Sequence, residues 1–320
     1  MMDEAERALF VDTIRQLTVQ HGGEELDAAL DGLGWSEALA VDRPIAVTAL
    51  FEAVGEANAT SSALDKVLCS ILIPSESDTV AVALPPIRTC EAPARVDESQ
   101  VTVQGLGTRA LRRRDNVLVV ASDPSGHTSF LVPTSALKLQ SARGLDPELG
   151  LVEVTGSLER GALPGGAVVD WSAAVTAGQL ALGHELVGAA RTMLELARVH
   201  ALERMQFGRP IASFQAVRHR LAESLVAIEA ASALLAAAWD DQDPMVAAMA
   251  KAVAGRSART VARHSQQVLA GIGFTTEHNF HHYFRRIVVL DQLLGANSEL
   301  TRRLGDDALA TASLPATFPL

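Results

Sequence analysis

Cysteine is nearly absent from this chain: Cys69 and Cys90 are the only two in 320 residues. A disulfide framework is therefore not what holds it together, because a chain of this length buries a sizeable apolar core without one. Thiols this sparse fit a reducing, cytoplasmic setting. Long apolar runs are missing too. No stretch of about 18 residues free of polar groups occurs, and the Ala- and Leu-rich segment around Leu180 is interrupted by Gln179, His184 and Glu185. The opening residues, Met1-Met-Asp-Glu-Ala-Glu-Arg, are acidic and lead into no apolar segment, so neither a secretory leader nor a membrane partner is expected. Basic residues are scarce: 27 Lys and Arg against 38 Asp and Glu leave a net charge of −11. That balance argues against a nucleic-acid partner, since such proteins gather cations on one face to displace phosphate counterions. A local basic patch can still meet a small anion. No internal repeat or low-complexity tract is present.

What is there divides into three regions by period. Residues 1–75 read as short helices: Ala8, Leu9, Ile14 and Leu17 have helical spacing, and Pro44 suits a first helical turn, where its missing N–H costs nothing. Gly22-Gly23 and Gly32-Leu-Gly34 mark breaks. Residues 76–168 change to strand-like runs, among them Val80-Ala-Val-Ala-Leu84, Val101-Thr-Val103 and Val117-Leu-Val-Val120, separated by Pro- and Gly-containing turns. Gaps too short for crossover helices predict an antiparallel sheet, a small barrel or sandwich, closed by Gly165-Gly166. Residues 169–310 predict a four-helix bundle, with helices from Trp171 to Arg204, from after Pro210 to Ala238, from Pro244 to Ala270 and from Asn279 to Arg303. Helices this long, rich in Ala and poor in apolar bulk, point to further burial through oligomerisation. Residues 311–320 read as a loose tail. The fold class is thus α+β.

Two segments of the bundle resemble signatures of the acyl-CoA dehydrogenase family. One is Arg204-Met-Gln-Phe-Gly-Arg-Pro-Ile211 followed by Phe214-Gln-Ala-Val-Arg-His219. The other is Gln267-Val-Leu-Ala-Gly-Ile-Gly-Phe-Thr-Thr-Glu-His278, followed by Tyr283 and Arg285-Arg286. Their separation and the helices–sheet–helices order match the family as well. The resemblance implies FAD as cofactor, an acyl-CoA substrate that loses hydrogens from Cα and Cβ, and a flavin lying across a subunit boundary. By resemblance, Arg204 and Phe207 meet the adenosine and pyrophosphate end of a neighbour's flavin, and Gln267, Gly271 and Gly273 complete that contact. The chemistry agrees, since a guanidinium fork suits a pyrophosphate and glycine lets backbone N–H groups approach. Ala270 stands where the family usually has Gly.

The positions for chemistry depart from the family. The proton at Cα needs a carboxylate base beside the flavin. Most members carry a Glu directly before a Gly near the end of the fourth bundle helix, and that place falls on Leu294, before Gly295. The other family location, early in the first bundle helix, falls at about Gly178, beside Gln179. Asp170 and Asp291 are the carboxylates nearest in sequence. The family's Thr-Glu-rich, Gly-Ser loop and Trp-containing strand are not found between Ala81 and Leu131, and the N-terminal region is short. These losses resemble the shortened subunit without a base in heterotetrameric, steroid-catabolic acyl-CoA dehydrogenases. The resemblance implies an α2β2 assembly with an acyl-CoA dehydrogenase-like catalytic partner that supplies the base while this chain completes the FAD site. Two other readings stand beside it: a self-sufficient homomeric enzyme with a displaced base, and a scaffold without flavin. His281-His282 do not face one site on a helix and predict no metal. Arg112-Arg-Arg114 reads as a solvated strand end, a contact to CoA phosphate or a contact to a partner. Cys69 reads as a small core residue.

Overall fold

The structure, a computed structural model, describes residues 4–311 apart from 77, 78, 98, 125, 165 and 242. Five helices come first: α1 (Glu4–Gln20), α2 (Glu24–Leu33), α3 (Trp35–Val41), α4 (Arg43–Ala57) and α5 (Ala63–Leu72). Gly34, at φ 78°, closes α2 in the left-handed conformation that glycine adopts freely. Asp42 begins α4 by accepting from the Ile45 N–H at 3.3 Å, and Pro44 occupies its first turn.

Eight strands form one sheet: β1 (Ala81–Val82), β2 (Ala94–Val96), β3 (Gln100–Gly107), β4 (Asn116–Asp123), β5 (Gly126–Pro133), β6 (Lys138–Ser141), β7 (Val152–Glu159) and β8 (Ala167–Val168). The order β6-β7-β3-β2-β4-β5-β8 is open, with β1 attached to β4. Antiparallel pairing dominates, but β1 and β2 both run parallel to β4. The expected all-antiparallel sheet is therefore mixed. A crossover needs length rather than a helix, and the long β3 with its following turn supplies it. The expected Gly165-Gly166 boundary lies partly, and the tail beyond residue 311 wholly, outside the described residues.

The remainder is helical except for a small hairpin: α6 (Trp171–Glu203), β9 (Met205–Gln206), β10 (Arg209–Pro210), α7 (Gln215–Asp241), α8 (Pro244–Leu269), α9 (Phe280–Leu290) and α10 (Asn297–Thr311). Helix α6 is central and packs against α4, α5, α7, α8 and α9. The main core joins the N-terminal helices to the bundle, and a second core lies within the sheet. Helix α7 packs chiefly against α6, α8 and the short turn before it. Leu225 and Val226 on its outer side are exposed. By length and composition α7 is apolar enough to cross a membrane, which the sequence reading did not anticipate. Its apolar character comes largely from alanine, and its inner residues Ile228, Ala231 and Leu235 are buried in the bundle.

The fourth bundle helix is not continuous as expected. It breaks between Leu290 and Asn297, where Leu294 and Gly295 both take positive φ (51° and 97°). The cause is a buried cation. The Lys251 ammonium, fully buried on α8, donates to the carbonyls of Asp291 (3.1 Å) and Gly295 (2.5 Å), which stand where the helical ladder would have run on. Burial lowers the Lys251 pKa to about 8, against the pull of nearby Asp291.

Three regions of the chain meet at Arg286, which is 0% exposed. Its guanidinium donates to Asp146 (2.5 Å), to the Ala59 carbonyl (2.5 Å) and to the Thr60 hydroxyl (3.1 Å), with Glu185 at 3.7 Å. The arginine run is tied down as well. Arg112 donates to Ser141 and Arg113 pairs with Asp27 and Glu24, so Arg113 is a tether to α2 rather than a solvated strand end. Cys69 is buried in the core.

Candidate functional site

Two places on α6 carry the residues singled out from sequence, and they are built in opposite ways. The first is the turn between α9 and α10. Gly178 and Leu294, 116 positions apart, meet here: a Cβ on Gly178 would collide with Leu294 Cδ1. Leu64 and Leu68 close the same spot, 3.7 and 3.4 Å from that imagined Cβ. Gln179 donates to the Leu294 carbonyl at 2.9 Å and fixes the turn from the other side. The two positions that the resemblance names for a base thus meet in space and are packed with leucine side chains.

Neither proposed substitute stands free beside it. Asp291 is 1% exposed and accepts from Arg259 (2.9 Å), from the Asn297 amide (2.7 Å) and from the Gln292 amide (3.2 Å). A carboxylate so occupied organises the turn and has no lone pair aimed at a substrate. Asp170 is the exposed N-cap of α6 and accepts from the Ala173 N–H at 2.9 Å. Nearby, a cleft of about 460 Å³ separates the sheet from the bundle. Its carboxylates are Asp243, which caps α8, and the exposed Glu91 and Asp307. The Arg303 guanidinium reaches across it to Cys90 Sγ at 2.7 Å.

The second place is the far end of α6. Here the chain makes a tight hairpin in which Phe207 and Gly208 are the two loop residues, both at positive φ (54° and 77°). That pair of angles belongs to the two-residue turns that match strand twist, and Gly208 takes it without cost. Phe207 is bulky and does not. It is held in a conformation that disfavours it, and its ring is 90% exposed at the tip, edge-on to Phe214 at 6.0 Å. Ala270, which ends α8, also sits at φ 52° with ψ −130°, a region natural to glycine. The backbone therefore keeps the shape that the family's glycine would give it. Strain of this kind persists where the surroundings enforce it and clusters at functional sites.

Hairpin and α8 terminus enclose a groove of about 800 Å³. Arg204, Phe207, Gln267 and Gly271 all line it. Four of the five residues assigned to the cofactor by resemblance are thus brought together. The fifth, Gly273, lies behind the groove: a Cβ there would meet Gln266 at 2.6 Å and Leu269 at 3.0 Å, so its glycine serves packing. A Cβ on Gly271 would meet nothing within 4 Å, so the backbone there lies open. The Gln267 side chain is exposed and makes no hydrogen bond within the chain among the described residues, which sets aside a helix cross-link as its role. A small cluster of Ala197, Ala201 and Val268, with Ile211, Val217 and Leu221 against it, supports the groove from below.

The lining is selective in charge. His200, Arg204 and Arg220 reach the groove, with Gln206 and Gln267, and among the described residues none of its lining is Asp or Glu. In a chain of charge −11, an acid-free concavity with two guanidinium groups is a local reversal. His200 and Arg220 escaped the sequence reading because they lie outside the quoted motifs. Among the described residues no metal-binding cluster occurs.

A helical front, a mixed sheet and a long-helix bundle with a cationic groove beside a hairpin define the class: a protein built like the flavin-dependent acyl-CoA oxidoreductases. The profile described as "Acyl-CoA dehydrogenase, C-terminal domain" matches residues 168–309, a little under half of the chain, and that region is similar to the acyl-CoA dehydrogenase family. It is 43% identical over 123 residues to "Acyl-CoA dehydrogenase IpdE2" of Mycobacterium tuberculosis, covering 38% of this chain and 39% of that protein. The matched segments thus span about two fifths or less of such curated relatives. Among solved structures, the "Tcur3481-Tcur3483 steroid ACAD G363A variant" aligns with TM-score 0.80 at 22% identity, covering 97% of this chain and 99% of that one. The ChsE4-ChsE5 complex from Mycobacterium tuberculosis aligns with TM-score 0.77 at 25% identity, covering 99% of both chains.

Proposed function

We propose that this chain is the flavin-completing subunit of a heteromeric acyl-CoA dehydrogenase. It closes the FAD site of an acyl-CoA dehydrogenase-like partner, and the partner supplies the catalytic base. The observation that carries this reading is the contrast within one helix: at Gly178 the place for a base is plugged by Leu294, while at Arg204 the groove is open. The groove fits the adenosine diphosphate half of FAD. It has cations without competing acids, aromatic edges and an unobstructed glycine backbone. Arg204 would hold phosphate, Phe207 would lie against the adenosine, and Gln267 with the Gly271 backbone would donate hydrogen bonds. When bound, FAD would supply the acceptor for the hydride equivalent that leaves the acyl chain. This chain's share is to hold and orient the non-reacting end, which is where binding energy is converted into position.

The partner side has its own support. Phe207, which lines the groove, is 90% exposed, and Phe274 and Val226 on the bundle are 78% and 68% exposed; large apolar groups left so open fit burial against a second chain. The structures of two unlike chains with this fold, the Tcur3481-Tcur3483 and ChsE4-ChsE5 complexes, support a mixed assembly, and an α2β2 heterotetramer is the form we assign. The first of these is called a steroid ACAD, which motivates a bulky, steroid-derived acyl-CoA as substrate. A cytoplasmic setting goes with this reading.

The test is acyl-CoA-dependent bleaching of flavin absorbance. It should appear in the complex formed by co-expression with the acyl-CoA dehydrogenase-like chain encoded beside this one, and be missing from this chain alone. Bleaching by the isolated chain would establish the self-sufficient enzyme instead and turn attention to Glu91 and Asp307. Flavin in neither preparation would leave the scaffold.

A further inference from the structure

Arg204 has a counterpart on the opposite wall of the groove. His200 in the last turn of α6 and Arg204, the residue that caps that helix, both line the concavity. Ala216, Val217 and Arg220 share one face of α7 and line it from the other side. The end of α6 and the start of α7 therefore each bring an arginine to one depression. The other arginines of this neighbourhood are used within the chain: Arg209 lies over the Phe214 ring at 4.4 Å, and Arg218 donates to the Ala212 carbonyl at 2.7 Å. Among the described residues Arg204 and Arg220 have no ion pair. Glu223, one turn along α7, points to His264 at 3.7 Å and is not part of the lining. Like charges held around one concavity without a counterion oppose folding unless a ligand of opposite sign enters.

We infer that Arg220, assisted by His200, is a second anion contact that makes the groove select a diphosphate over a monophosphate. Each guanidinium takes one phosphoryl group of the diphosphate, Arg204 from the α6 wall and Arg220 from the α7 wall. The inference rests on the reading of this groove as a cofactor site and adds the residue that sets which nucleotide it accepts. ADP and FAD satisfy both arginines; AMP leaves one unpaired in the groove.

The test uses the co-expressed complex stripped of flavin, titrated with FAD by fluorescence quenching and competed with ADP and AMP. Wild type should favour ADP over AMP by about tenfold or more, the effect of one charge-assisted contact. Arg220→Ala should weaken FAD by about tenfold or more and collapse that preference, while the unfolding temperature of the flavin-free complex does not fall. Arg220→Lys, which keeps the charge and loses the fork, should fall between the two. Should Arg220→Ala disturb the fold, the Lys variant decides: wild-type affinity and preference in R220K with a loss in R220Q shows charge alone at work and overturns the fork-shaped contact. Full FAD affinity in R220A, with loss in R204A, overturns this inference and leaves the proposed function standing. A wild-type complex that binds no FAD at all overturns both.

Discussion

Helix α6 passes through one region that has been filled and ends at another that has been left open. At Gly178 the neighbouring turn holds Leu294 at positive φ, buried, with its carbonyl bonded to Gln179. At Arg204 the neighbouring turn holds Phe207 at positive φ, exposed, with its ring turned to solvent. The backbone cost is similar in kind, and what it sustains differs. The buried residue completes a core, so its conformation is repaid within the chain. Packing within the chain does not repay the exposed one, which makes sense if a second molecule covers it. The lesson is that strain alone does not mark a site; strain together with exposure, open glycine and unpaired cations does.

Substitutions can break or sharpen that comparison. The largest effect should come from Asp291. On the closed side its carboxylate is structural, so Asp291→Ala should cost about 3 kcal/mol in urea unfolding by stranding the Asn297 amide and taking the nearby negative charge from the buried Lys251 ammonium. Wild-type stability with lost bleaching would make it a base instead. Next comes pH. Burial raises the Glu185 pKa from its ordinary 4.5 to about 7, against the opposing pull of Arg286. Below about pH 4.5 the carboxyl is protonated in folded and unfolded chains alike, and its contribution is fully present. As pH rises toward about 7 only the unfolded chain ionises freely, and up to about 3 kcal/mol is lost. Glu185→Gln should flatten this part of the stability profile between pH 5 and 8, whereas an unchanged slope would place the titration elsewhere. Asp65, raised to about 6 by burial, acts in the same direction.

On the open side the effects are smaller and fall on binding. Arg204→Ala should weaken FAD in the mixed complex by about 1.5–3 kcal/mol and leave the flavin-free unfolding curve alone. The smallest concern strain. Ala270→Gly should stabilise the chain by about 1 kcal/mol, the relief of its backbone less the entropy of the new glycine. Phe207→Gly should show a similar gain together with weaker flavin binding. A loss of stability in Phe207→Gly would mean that the ring works within the chain, and the comparison would fail there.

Much of this was legible in the residues. Helical spacing and the Pro44, Pro244 and Gly34 signals place most helix boundaries within a few positions, because caps and breakers act locally. The two bundle signatures lead to four of the groove's residues for the same reason, since each motif folds as one short turn. What failed was long-range. The break at Leu294 depends on Lys251 reaching over from α8, a contact 40 or more positions away that leaves no mark in the period of the fourth helix. The parallel pairs of the sheet depend on which strands become neighbours, and the spacing argument considered only adjacent runs. Gly178 and Leu294 were noted separately, and their contact is a property of the fold. Gly273 belonged to the second motif but turned inward, and Arg220, the residue directly after the first motif, lines the groove.

The most direct test of the account is the flavin content and native mass of this chain purified alone and with its neighbouring acyl-CoA dehydrogenase-like chain. The account expects little flavin on the chain alone and about one FAD per unlike pair in a mixed assembly, where each groove completes one partner's site. Stoichiometric FAD on this chain alone would contradict it.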